Sequence, residues 1–131
     1  MKIEVSNGEI IDKYTILEIK LSQIKDEEKL KNIQHEYDVL KPNIQSINSG
    51  CSSKSHLKQL HHTLYSINKK LWEIEDDIRE CEREKDFGTT FVSLARAVYF
   101  TNDDRSKVKK QINLFTNSDL IEEKSYEDYK S

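Results

Sequence analysis

Leu57, Leu60, Leu64, Ile67, Leu71, Ile74, Ile78 and Cys81 recur at alternating spacings of three and four. That period belongs to one face of an α-helix, because strand faces alternate every second residue. No Gly or Pro interrupts the run. It predicts one heptad-patterned, coiled-coil-like helix of about 30 residues, roughly 45 Å long at ~1.5 Å per residue. Such a helix is longer than a compact monomer of this size needs. It is expected to pack antiparallel on the helix before it and to offer its excess length to a partner chain.

The flanking segments repeat the helical period. Ser6 followed by Glu9 has the form of a capping box. Ile10, Tyr14, Leu17, Leu21 and Ile24 then draw one apolar stripe over residues 7–24, broadened by Ile11 and Ile16. Asp26 is placed to cap a second helix carrying Leu30, Ile33, Tyr37, Leu40, Ile44 and Ile47. Pro42 lies inside it and removes a backbone donor, so a kink or a fresh helix start is expected there. Residues 48–53, NSGCSS, read as a loop. Beyond Asp86-Phe87-Gly88, a fourth helix is expected over residues 89–101, with Phe91, Leu94, Ala95, Val98 and Tyr99. Asn102 is placed to cap a fifth, with Val108, Ile112 and Phe115 facing inward. Residues 1–5 read as a short strand or an extended arm, and 117–131 as a polar C-terminal arm.

The expected fold is therefore all-α: a single domain over residues 1–131, built as a helical bundle. It has an N-terminal helical hairpin, one long helix and two shorter C-terminal helices. Only 35 % of the 131 residues are hydrophobic and 34 % are charged. So little apolar material makes a thin core, and a second copy of the chain is the simplest way to thicken it. Homodimer or higher homo-oligomer is the expectation.

Charge and targeting exclude some partners. The net charge is −3 with both signs interspersed, which argues against duplex nucleic acid. No apolar run is long enough for a bilayer and MKIEVSNGEI lacks a signal-peptide core, so no membrane partner and a cytoplasmic location are expected. In that reducing setting Cys51 and Cys81 are expected as thiols.

Two patterns point to a site. The first runs one residue after the seam of the long helix: His61, Tyr65, Asn68, Trp72, Glu75 and Arg79. Large amphipathic side chains at the border of a buried face suit an interface or a cleft wall. They equally suit a solvated flank, with Glu75 and Arg79 as an ordinary i,i+4 pair. The second is Arg105, which falls on the apolar stripe of the fifth helix. A guanidinium there requires an anion, either Glu75 or Asp76 from the chain itself or a ligand phosphate or carboxylate. Arg96 and Lys109 are candidate neighbours. A helix start at Asn102 would add its unpaired N–H groups.

Chemistry beyond binding finds no foothold. The four histidines show neither HExxH nor ExxH spacing, so no metal is expected. There is no P-loop, GxGxxG or GxSxG, and no base stands beside Ser93 or Cys51 in sequence. No cofactor is implied.

Four stretches, VSNGEIIDKYTILEIKL, LWEIEDDIRE, FVSLARAVYFTNDDRSKVKKQIN and IEEKSY, cover much of the chain in order. They resemble a family of small helical proteins known only as a domain of unknown function. Some members are encoded among polysaccharide and glycosyltransferase genes, so the resemblance implies an association with sugar or nucleotide-sugar metabolism and no particular reaction. Carried over by position, the family-like polar residues are Asn68, Trp72, Glu75, Asp76, Arg79, Arg96, Asn102, Asp103, Arg105, Lys109, Asn113 and Lys124. The chorismate-mutase bundle is a looser architectural analogy, with a long helix and inward cations.

The combined reading is a non-catalytic oligomeric module that holds a small anionic ligand, a nucleotide or sugar phosphate, between helices or subunits. Its candidate residues are Trp72, Glu75, Asp76, Arg79, Arg96, Asn102, Arg105 and Lys109. The alternatives are a helical enzyme acting on a carboxylated or phosphorylated metabolite and a scaffold that binds only protein.

Overall fold

Three helices open on side-chain caps, two of which, Ser6 and Asp26, the sequence indicates. Ser6 Oγ accepts from Glu9 N at 3.1 Å and starts α1 (Asn7–Gln23). Asp26 Oδ1 accepts from Lys29 N at 3.1 Å and starts α2 (Glu27–Gly50). Ser53 Oγ accepts from His56 N at 3.3 Å and starts α3 (Lys54–Glu84), which ends on Lys85 in the left-handed region at φ 56°. Each cap satisfies a backbone donor that the first helical turn leaves open. The fourth helix, α4 (Thr89–Phe115), begins after Gly88. The computed structural model describes residues 1–129, and no strand occurs among them. The all-α bundle is as expected, and residues 1–5 form no strand.

α1 and α2 make the expected hairpin, fixed by Tyr14 stacked on Tyr37 at 4.5 Å and by Lys13 paired with Glu36 at 3.1 Å. The core joins all four helices: Ile11 and Tyr14, Ile44, Leu57, Leu60 and Leu64, and Val108 and Ile112. Burial pushes the Tyr14 hydroxyl well above its ordinary pKa, helped by its neighbour Tyr37.

Four details differ from the sequence expectations. The two shorter C-terminal helices are one 27-residue helix, α4. Asn102 resembles a cap, but the segment around it contains no Gly or Pro to break the ladder. Pro42 does not restart α2, which runs on to Gly50. Both Pro42 and Asp38, whose carbonyl loses its donor, lie on the exposed side where water can serve that carbonyl. α3 packs mainly along α4 and across α1, touching α2 little. Finally, the heptad seam is consumed within the chain. Leu57, Leu60, Leu64, Ile74 and Cys81 are buried, and Ile67, Leu71 and Ile78 half-buried. The seam therefore no longer argues for a partner.

α1 lies antiparallel to α4, with Gly8 against Asn113 and Asp12 against Arg105. The C-terminal arm doubles back over the same helix. Ser118 Oγ accepts from Asn7 N at 3.0 Å, Glu123 pairs with Lys110 at 2.9 Å, and the Tyr129 hydroxyl donates to Asp103. Among the described residues no helix is long and apolar enough to cross a membrane.

Candidate functional site

Asp12 is the pivot of the helix junction. Its side chain is 1 % exposed, and a buried carboxylate is costly unless its oxygens are bonded. Arg105 grips it in a fork, Nε donating to Oδ1 at 2.8 Å and Nη2 to Oδ2. Asn68 Nδ2 donates to Asp12 Oδ1 and to Thr15 Oγ1, both at 2.8 Å. Thr15 Oγ1 donates to the Asp12 carbonyl at 2.7 Å. The network ties α1, α3 and α4 at one level, and no buried polar side-chain atom among the described residues lacks a partner.

This corrects the reading of Arg105. It sits in the middle of α4, far from any helix start. Its anion is Asp12 on α1, with neither Glu75 nor Asp76 hydrogen-bonded to it. That hydrogen bond pushes the guanidinium's pKa above its ordinary value, with burial opposing.

Beside the network a cleft of about 530 Å³ opens between α1, α3 and α4. Such a volume lies in the range of small-ligand sites. Trp72, Glu75, Asp76 and Arg79 line it from α3, and Asn102 and Arg105 from α4. Six of the eight sequence candidates are thus brought together. Ile16 and Leu71 supply apolar wall, and Asn68 joins them although its amide is spent on Asp12 and Thr15.

Two candidates lie elsewhere. Arg96 sits with its guanidinium over the Phe100 ring, 5.8 Å from the centroid. Lys109 donates to Glu9 at 2.6 Å and stands 4.0 Å from Asp12 and 3.9 Å from Glu122. It lines a second hollow of about 390 Å³ under the C-terminal arm, where Glu122 and Glu123 face Lys109 and Lys110.

The cleft holds no surplus of positive charge. Arg79 is paired with Glu75 at 2.9 Å, and Arg105 with Asp12. Asp76 has no ion-pair partner among the described residues. What remains available is the indole of Trp72, the amide of Asn102, the Asp76 carboxylate and the Nη1 edge of Arg105, which Asp12 does not engage. Among the described residues no three His, Cys, Asp or Glu side chains gather as metal ligands would.

The missed partner, Asp12, had a signal. Gly8, Asp12, Thr15 and Ile19 recur at spacings of four, three and four, and all are buried. All but Ile19 are small or polar, so hydrophobicity alone passes over the stripe. No curated protein and no solved structure matches the chain. The model of one family, described as a family of unknown function (DUF6165), matches residues 1–131.

Proposed function

The chain belongs to the DUF6165 family of unknown function, and we propose from its geometry that it is a binding module for a small sugar-bearing ligand with at most one anionic group. The supporting observation is the lining of the α1–α3–α4 cleft, where Trp72, Asp76, Asn102 and the free edge of Arg105 meet. An indole offers a flat apolar surface to a sugar ring. Carboxylate and amide groups match hydroxyls that both donate and accept. Arg105 Nη1 is left for one phosphate or carboxylate oxygen. A diphosphate would bring more negative charge than two already-paired arginines balance. A sugar monophosphate therefore fits better than a nucleotide diphosphate. The lining supplies recognition groups and, among the described residues, no nucleophile–base pair, which favours binding over turnover.

Trp72 is the chain's only tryptophan and lines this cleft, so its fluorescence reports on a ligand bound there. Titration with a hexose monophosphate, the free hexose and inorganic phosphate should give a saturable change for the first, weaker for the other two. Calorimetry on Trp72→Ala and Asp76→Ala should show affinity reduced by about tenfold or more, the equivalent of ~1.4 kcal/mol. Both positions are away from the Asp12 network, so the fold should persist. No saturable signal up to about 10 mM of any sugar probe, an affinity too weak for a specific site, sinks the reading.

A further inference from the structure

Charges are interspersed along the chain as a whole, but on α3 they are segregated. Lys54 to Lys70 contains four lysines and no acid, whereas Glu73 to Glu84 contains seven acids and two arginines. The helix dipole favours the opposite layout, acids at the N-terminus and bases at the C-terminus. The first turn of α3 contains no acid at all. An arrangement disfavoured within the helix asks for complementary charge outside it.

The segregated charges share a face. Lys58, His62, Ser66, Lys69, Glu73, Asp76, Glu80 and Glu84 follow one another at spacings of three or four, forming one stripe about 39 Å long at ~1.5 Å per residue. All are exposed except Lys69, which is half-buried. Lys58, Lys69, Glu73 and Asp76 have no ion-pair partner among the described residues. The stripe also inverts in charge about Leu71. Lys58 and Glu84 are equidistant from it in sequence, as are His62 and Glu80, Ser66 and Asp76, and Lys69 and Glu73.

We infer that a second copy of this chain docks on this face, α3 against α3 and antiparallel, with a two-fold axis near Leu71. A two-fold contact presents one patch to itself, so residue i meets residue j and j meets i. The stripe satisfies that condition by charge: each basic half meets the partner's acidic half. The two helix dipoles oppose each other in the same arrangement. Trp72 and Tyr65, both half-buried, border the stripe and add apolar contact near its middle. The pairing requires no ligand and does not rest on the cleft reading.

Exposed ion pairs are weak and screened by salt, so the dimer should be reversible and salt-sensitive. Sedimentation equilibrium at about 100 µM protein should show it in ~50 mM salt, weakened about tenfold or more at ~0.5 M salt. Two triple variants make the test specific. Lys58→Glu with His62→Glu and Lys69→Glu makes the stripe acidic but for Ser66. Glu73→Lys with Glu80→Lys and Glu84→Lys makes it basic but for Ser66 and Asp76. Circular dichroism confirms that each folds. Each alone should be monomeric, and an equimolar mixture should form a heterodimer. The proposal is overturned by a monomeric wild type under the low-salt condition, by a dimer that survives both sets of substitutions, or by a mixture that stays monomeric.

Discussion

Arg105→Ala should destabilise the fold by about 3–5 kcal/mol, the range for removing one member of a buried ion pair. The sequence leaves its anion open, an acid of the chain or a ligand, and the structure pairs it with Asp12. Asp12 is 1 % exposed and loses two of its three side-chain donors when the guanidinium goes. Asn68 remains at 2.8 Å and Lys109 at 4.0 Å, which places the cost toward the lower end of the range. The reciprocal change is asymmetric. Arg105 is 28 % exposed at the cleft edge, so Asp12→Ala leaves a cation that can turn toward water. Asp12→Ala should therefore cost less than Arg105→Ala, and the double variant less than the sum of the two. Urea denaturation of the four proteins reads this directly. A coupling near zero would mean that the pair is not formed in solution. An Arg105→Ala protein as stable as wild type would return Arg105 to the role of a free anion receptor.

The same pair shows how far the sequence could be read. Arg105 is legible as an inward cation because it interrupts the apolar period at 105, 108, 112 and 115. Its partner is not, because sequence spacing only relates residues on one helix. Glu75 and Asp76 are acids on or beside the polar stripe of α3, whereas Asp12 stands 93 positions away on α1. Convergence of Trp72, Glu75, Asp76 and Arg79 follows from helical spacing and was readable. That Asn102 and Arg105 would face them depends on how α4 lies on α3, which a one-residue change in helix rotation would alter by about 100°. Lys109 misses the cleft for this reason: one turn beyond Arg105, it meets Glu9 near the start of α1.

Helix existence was more legible than helix ends or helix neighbours. The seam of α3 was plain, yet its covering surface is α4 and α1 more than α2. Period says which face is apolar and is silent on what buries it. The break expected at Asn102 does not occur within α4, for a local reason. Asn-Asp-Asp at 102–104 has cap-like chemistry, but such residues also sit on helix surfaces, where tertiary packing overrides their preference.

Gly8→Ala should lower stability by roughly 2–4 kcal/mol, the combined range of overpacking and of a buried hydrogen bond lost. Propensity alone predicts the opposite sign. Gly8 is in the first turn of α1 without a positive φ, where Ala is ordinarily favoured by up to about 1 kcal/mol. The environment reverses this. A Cβ at Gly8 would overlap the carbonyl oxygen of Lys109 and approach Asn113 Oδ1 to 2.9 Å. Lys109's carbonyl is part of the α4 backbone and cannot swing aside as a flexible side chain would. α1 must lift instead, breaking the 2.6 Å bond from Gly8 N to the buried Asn113 side chain. The bonds from Asn7 to Ser118 and Thr116, both 3.0 Å, stand next in line, so the C-terminal arm should loosen with it. Amide exchange over residues 118–124 should accelerate in the variant. Gly50→Ala is the control: it ends α2 with nothing within 4 Å of its added Cβ and no positive φ. There the intrinsic preference is unopposed, and a neutral to ~1 kcal/mol stabilising effect is expected. Equal effects from the two substitutions in one denaturation series would show that α1 does not approach α4 as closely as Gly8 permits.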